Sequence, residues 1–86
     1  MTLNDRKPEI EYPTQWQYKI IGPDVDEMLA AVEESIKGLD YQVAPSNVSS
    51  NEKYFSLNIT LIVPSEQVRD IIFQKLSNHS AIKFII

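Results

Sequence analysis

Residues 54–63 read Tyr-Phe-Ser-Leu-Asn-Ile-Thr-Leu-Ile-Val, and this stretch decides the fold. Side chains of two kinds alternate along it, which is the period of a β-strand whose two faces meet different surroundings. The stretch is therefore predicted to be a central strand. Its core-facing set is predicted to be Phe55, Leu57, Ile59, Leu61 and Val63. The opposite face is predicted to carry Tyr54, Ser56, Asn58 and Thr60.

Two weaker alternations predict further strands before this one. Residues 15–22 alternate in the same way and end at Gly22 and Pro23, which break a strand. The second alternation consists of Tyr41 and Val43, which are separated by Gln42. Because the nearby Pro45 cannot donate a ladder hydrogen bond, an edge strand is predicted there. The side chains of the first strand predicted to face the core are Trp16, Tyr18 and Ile20.

Capping residues mark two helices. Asp24 is the predicted N-cap of the first helix, with Glu27 completing an acidic capping box, and Gly38 follows where a left-handed residue ends a helix. Ser65 is the predicted N-cap of the second helix, which ends near Asn78. The predicted buried stripes are Val25, Met28, Leu29, Val32 and Ile36 in the first helix and Val68, Ile71, Ile72 and Leu76 in the second.

Residues 81–86 predict a fourth strand, with Ile82, Phe84 and Ile86 on one face and Lys83 and Ile85 on the other. The order is then β-α-β-β-α-β, the ferredoxin-like pattern of an α+β sandwich. Right-handed crossovers place two helices on one face of a four-stranded antiparallel sheet, with the first and third strands central. Residues 1–14 are predicted to be a flexible N-terminal arm and residues 15–86 a single domain.

The composition excludes several classes of function. With no cysteine and one histidine among 86 residues, the chain offers neither a thiolate zinc site nor an imidazole-rich metal site, and we predict no cofactor. Twelve acidic against eight basic residues give a net charge of −4, which disfavours nucleic-acid and membrane partners. No apolar run approaches the roughly 20 residues that span a bilayer, and no signal peptide is recognisable, so we expect a cytoplasmic protein.

Few residues are candidates for chemistry. No nucleophile, carboxylate pair or metal motif has a partner, so the chain is predicted not to be an enzyme. His79 is interpreted as a solvated residue at a helix end. Gly22 and Asp24 form the one candidate turn for a ligand, although capping of the helix already accounts for Asp24. The open sheet face is predicted to carry one aromatic, Tyr54, which disfavours RNA binding.

Phe73 and Ile71 are the candidates for an interaction surface. In a helix that turns 100° per residue, the apolar positions of the second helix spread over about 200°, which is wider than packing on one sheet requires. At least one of the two is therefore expected to be exposed. An exposed Phe73 would contribute contact energy to an interface. The alternative is that Phe73 folds over the rim of the core.

Three segments resemble the YbeD-like group of small bacterial proteins of unknown function: Tyr12-Pro13, residues 16–22 (Trp-Gln-Tyr-Lys-Ile-Ile-Gly) and residues 53–60 (Lys-Tyr-Phe-Ser-Leu-Asn-Ile-Thr). The resemblance spans residues 9–86. It implies a fold similar to the ACT domain, a small regulatory module that binds amino acids beside many metabolic enzymes. It implies no catalytic residue.

We therefore expect a non-catalytic regulatory or protein-interaction module, which binds a protein partner or a second copy of itself as a homodimer. An amino-acid or other small-molecule sensor is the alternative. An RNA-binding module ranks third because of the negative charge.

Overall fold

The computed structural model describes residues 10–46 and 54–86. The strands are β1 (Thr14–Gly22), β2 (Tyr41–Pro45), β3 (Phe55–Val63) and β4 (Phe84–Ile85), and the helices are α1 (Val25–Ser35) and α2 (Glu66–Asn78). The sheet is antiparallel in the order β2-β3-β1-β4. The predicted ferredoxin-like topology is confirmed, with β1 and β3 central. Residues 1–9 of the predicted arm lie outside the described residues.

β3 is the centre of the molecule. It pairs with β1 along the whole length of both strands, from Thr14 opposite Val63 to Gly22 opposite Phe55, and with β2 on its other side. Its alternation places four of the five predicted side chains in the core, where both helices cover them. The largest fully buried side chains are Ile20, Met28, Val32, Ile59, Val63 and Leu76.

Both helices begin at their predicted caps. The Asp24 carboxylate accepts a hydrogen bond from the Glu27 backbone N–H at 3.0 Å, and the Ser65 hydroxyl accepts one from the Val68 N–H at 3.2 Å. Each bond satisfies one of the donors that the first turn of a helix leaves unpaired. Beyond α1, Gly38 adopts a φ of +85°, the left-handed conformation predicted for it.

Three side chains of the predicted buried sets are exposed, and one of them is Ile71 of α2, which is 47% exposed. Phe55 is 47% exposed, because it lies at the end of the ladder opposite Gly22, which offers no side chain to pack against. Leu29 is 38% exposed. The helix α1 is rotated so that the small residues Ala31 and Ser35 are buried beside Met28 and Val32, and this rotation moves Leu29 to the rim.

The fourth strand is shorter than predicted, and its alternation is shifted by one residue, so that Ile85 and not Phe84 faces the core. Ile82 is buried but lies before the strand, where its N–H donates to the His79 carbonyl in a turn. The alternation starts only after this turn. Ile85 therefore pairs with Ile20 and packs against the core, whereas Phe84 pairs with Ile21 on the open face and is 59% exposed.

Candidate protein-interaction surface

A cleft of about 420 Å³ runs along one edge of the sheet, between β1 and α2, and we call it the β1 cleft. It exists because β4 and the following Ile86 pair only with residues 19–21 of β1, and leave the preceding residues of β1 beside α2 without a covering strand in the described chain. Its lining residues are Trp16, Gln17, Tyr18, Arg69, Asp70, Phe73 and Ile86.

Trp16 and Arg69 form one wall of the β1 cleft. Trp16 is half-buried on the helix-facing side of β1, and the Arg69 guanidinium lies 4.7 Å from the centroid of its ring. A guanidinium over an aromatic face is attracted by the ring quadrupole. This contact ties the first turns of α2 to β1 and holds the indole in place.

Arg69 is also the centre of a polar network. Its guanidinium makes an ion pair with Asp70 at 3.0 Å, lies 3.6 Å from Glu66, and donates to the Tyr12 hydroxyl at 3.1 Å. The hydrogen bond to Asp70 raises the pKa of Arg69 above its ordinary value. Two carboxylates and one guanidinium sum to −1, so the first turns of α2 beside the cleft have a small excess of negative charge.

Tyr18 lies at the base of the same wall. Its hydroxyl donates a hydrogen bond of 2.6 Å to the Arg69 carbonyl, and the ring is almost fully buried. Burial raises the pKa of the Tyr18 phenol to about 12, since the phenolate would lose its hydration. Tyr18 therefore acts as a neutral donor that connects β1 to the backbone of α2.

Tyr18→Phe is expected to destabilise the domain by about 1 kcal/mol at neutral pH, because one partly buried hydrogen bond is lost. The pKa of Tyr18 is about 12 in the folded protein and ordinarily 10.0, so the unfolded chain releases this proton first as the pH rises. The stability that Tyr18 contributes is complete below pH 10 and is lost toward pH 12.

Urea melts from pH 8 to 12 measure this effect, with Tyr41→Phe as the control for loss of a hydroxyl elsewhere in the sheet. We expect the stability of Tyr18→Phe to fall less steeply above pH 10 than that of the wild type. Parallel curves for the two proteins would contradict the assignment.

The two residues predicted for an interaction surface lie on opposite flanks of α2. Phe73 is 39% exposed and lines the β1 cleft, whereas Ile71 is 47% exposed beside Gln67, Gln74 and Lys75. Their separation of about 200° around the helix axis follows from the helical repeat. Both side chains are therefore available, but only Phe73 lies beside Trp16 and Ile86.

The predicted ligand turn is closely packed. Gly22 is buried, and its Cα lies so near the Ala81 carbonyl and the Met28 thioether that even an added Cβ would overlap the carbonyl oxygen. Asp24 is exposed and its carboxylate caps α1. The structure thus explains Gly22 by close packing and Asp24 by capping of α1.

His79 connects the two helices. It ends α2, its Nδ1 accepts a hydrogen bond from the Ala81 N–H at 3.2 Å, and its Nε2 lies 3.3 Å from the Glu34 carboxylate of α1. Its position at a helix end is as predicted. Within residues 10–46 and 54–86, no cluster of three or more metal-ligating side chains exists, and no helix is long and apolar enough to cross a membrane.

The open sheet face carries two aromatic side chains where the sequence predicted one. Tyr54 and Phe84 meet edge to face, with ring centroids 6.4 Å apart, because the phase of β4 turns Phe84 to this side. On the same strand lie two buried polar atoms without a hydrogen-bond partner among the described residues, the Ser56 hydroxyl and the side-chain oxygen Oδ1 of Asn58. The expectation of a single aromatic on this face is therefore wrong.

A four-stranded antiparallel sheet with two helices on one face defines a small α+β domain of the ferredoxin-like class, and the chain is similar in structure to an ACT domain. A family model described as "Protein of unknown function (DUF493)" matches residues 7–86. The chain belongs to this family. The predicted resemblance to the YbeD-like group is thereby confirmed.

Relatives share about a third of their residues with the chain. An uncharacterised protein of Helicobacter pylori is 34% identical over 90% of each chain. A second, from Campylobacter jejuni, is 33% identical over 94% of this chain and 91% of its own. A UPF0250 protein of Leptothrix cholodnii is 31% identical over 90% of this chain and 89% of its own. These names and the family description state no catalytic activity.

Two solved structures support the fold. The solution structure of protein HP0495 of Helicobacter pylori has a TM-score of 0.82 and 28% identity, and covers 100% of this chain and 94% of its own. The ACT domain from the GTP pyrophosphokinase of Chlorobium tepidum has a TM-score of 0.60 at 15% identity, and covers 85% of this chain and 95% of its own. At that identity, the ACT likeness supports the fold alone.

Proposed function

We propose that this domain is a non-catalytic, regulatory protein-interaction module of the cytoplasm, and that it binds its partner at the β1 cleft. The observation that carries the proposal is the placement of Phe73. A side chain that is 39% exposed lies in a cleft beside Trp16 and Ile86, and Ile86 is itself 75% exposed. Aromatic anchors surrounded by partly buried side chains are typical of the residues that dominate binding energy.

The rigidity of the cleft supports the proposal. Trp16 is held by Arg69, and Arg69 is held in turn by Asp70, Glu66 and Tyr12. A partner would therefore meet a wall that is already ordered, which lowers the entropy lost on binding. Small-molecule sensing ranks second, because the ACT likeness supports the fold alone and the predicted turn at Gly22 is filled by packing.

Phe73→Ser tests the proposal. It is expected to cost less than about 1.5 kcal/mol of stability, because an exposed aromatic contributes little to folding, and to weaken association with a partner or a second copy. Thermal melts measure the first effect. Sedimentation of the pure protein and capture of partners from native lysate measure the second.

Leu29→Ser is the matched control, since Leu29 is 38% exposed but lies on α1, away from the cleft. Ile71→Ser tests the other flank of α2 in the same assays. A large loss of stability in Phe73→Ser with unchanged association would make Phe73 a core residue and remove the proposed binding surface.

A further inference from the structure

We infer that the exposed edge of β1, residues 14–18, receives an extended, basic segment of a partner protein as an additional β-strand. The inference rests on the proposed function and names the kind of partner that the β1 cleft takes. Strand addition supplies affinity through main-chain hydrogen bonds and specificity through alternate side chains.

Strand addition requires backbone N–H and C=O groups of β1 that point toward the uncovered edge. Lys19 exchanges both backbone hydrogen bonds with Ile86, at 3.2 and 2.9 Å, and the Ile21 carbonyl accepts from the Lys83 N–H at 2.8 Å. Backbone groups alternate between the two sides of a strand. Gln17 and Gln15 therefore direct their N–H and C=O groups to the same side as Lys19, where no strand lies in the part of the chain that the structure describes.

The opposite edge of the sheet differs in one decisive residue. Ser46 donates to the Ser56 carbonyl, so the alternate residues of β2, Tyr41, Val43 and Pro45, direct their backbone groups outward. Pro45 has no N–H to offer, and proline is a common protection of edge strands against pairing. The β1 edge has no proline between Thr14 and Tyr18, so it is the more receptive of the two edges.

The side chains that an added strand needs follow from the register. Residues directly opposite each other in an antiparallel pair point to the same face. A residue opposite Trp16 therefore projects into the β1 cleft toward Phe73, where an apolar side chain fits. Its two neighbours lie opposite Gln15 and Gln17 on the open face, where polar side chains fit.

The negative charge of α2 and of the whole chain favours a basic segment as the added strand. Asp70 and Arg69 line the cleft, Glu66 lies beside it within 3.6 Å of Arg69, and the whole chain has a net charge of −4. Pairing with a second copy through the same edge would bring the acidic first turns of two α2 helices toward each other. Basic side chains two positions on either side of the apolar residue lie on the helix face and meet these carboxylates instead.

The probe is the labelled peptide acetyl-Thr-Lys-Thr-Leu-Thr-Lys-Thr-amide, measured by fluorescence anisotropy against the full chain. An acidic version has glutamate in place of both lysines. A third version has proline in place of the two threonines that flank leucine, which removes the N–H groups that would face Gln15 and Gln17. We expect the basic peptide to bind about tenfold more tightly than either version at low salt.

Protection of individual amides gives a second readout. On binding of the basic peptide, the amides of Gln15 and Gln17 should exchange with solvent about tenfold more slowly, because they become hydrogen-bonded.

Gln17→Pro removes one edge N–H without touching the β1–β3 ladder, and should weaken binding of the peptide about tenfold. Gln17→Thr is the matched control that keeps the N–H. Glu66→Gln should reduce the preference for the basic peptide, with Glu33→Gln on α1 as its control.

The outcomes separate this inference from the proposed function. One outcome is that Phe73→Ser abolishes binding, while the proline peptide binds as tightly as the basic peptide and the Gln17→Pro protein binds as tightly as the wild type. That outcome overturns strand addition and leaves the β1 cleft as a binding surface. If Phe73→Ser changes nothing, both fail. No binding of the basic peptide at about 1 mM overturns the inference. So does a stable dimer that Gln17→Pro dissociates, since it would assign the edge to a second copy.

Discussion

Leu57→Ala is expected to lower the free energy of unfolding by about 2 to 5 kcal/mol, the usual cost of deleting buried leucine atoms and leaving a cavity. Leu57 lies in the middle strand, between Ile20 of β1 and Pro45 of β2, and is 6% exposed on the face that both helices cover. Domains of this size are stable by only about 5 to 15 kcal/mol. The loss is therefore a large share of the total.

Urea denaturation followed by tryptophan fluorescence measures this loss, since Trp16 is the one tryptophan. Ile62→Ala is the matched control, because Ile62 belongs to the same strand but is 53% exposed on the open face. It should cost less than about 1 kcal/mol. Equal losses in the two variants would mean that the faces of β3 are assigned the wrong way round.

Gly22→Ala is expected to have the second largest effect, a loss of about 1 to 3 kcal/mol, as is usual when atoms are forced into a filled space. The added Cβ would overlap the Ala81 carbonyl oxygen and press on the Met28 side chain. A flexible thioether can move aside. A backbone carbonyl cannot move without displacing the turn that leads into β4, so the strand contact at Ile21 should weaken as well.

Gly38→Ala is the control for the general cost of replacing glycine. Gly38 has a φ of +85° but no atom within 4 Å of an added Cβ, so only the left-handed backbone is penalised, by about 1 kcal/mol. Thermal melts of both variants, with amide exchange of Ile21 and Lys83, measure the difference. A Gly22→Ala domain with unchanged melting and unchanged exchange would contradict the close packing at this turn.

Local chemistry was enough to predict the order of the elements. The alternation of β3, the capping residues Asp24 and Ser65 and the left-handed Gly38 each act within a few residues of the chain. Pro45 confines β2 to an edge for an equally local reason, since it lacks an N–H. These signals, combined with the handedness of crossovers, lead to one topology, and the structure has it.

Side chains at the ends of elements could not be assigned in the same way. Phe55 follows the alternation of β3 but lies opposite a glycine, and Leu29 lies at the rim because Ala31 and Ser35 allow α1 to rotate. The phase of β4 depends on where the preceding turn at His79 to Ile82 ends. An alternating sequence pattern indicates that a strand has two different faces, but it does not indicate which face an adjoining element covers.

The β1 cleft is the clearest case of what the sequence determined and what only tertiary structure decided. The width of the apolar arc on α2 predicted that Ile71 or Phe73 would be exposed, and both are. That Phe73 lies beside Trp16 and Ile86, with Arg69 stacked on the indole, depends on the register of β1 and on the short β4. These residues come from β1, from α2 and from the end of the chain after β4, and periodicity within one element carries no information about packing between elements.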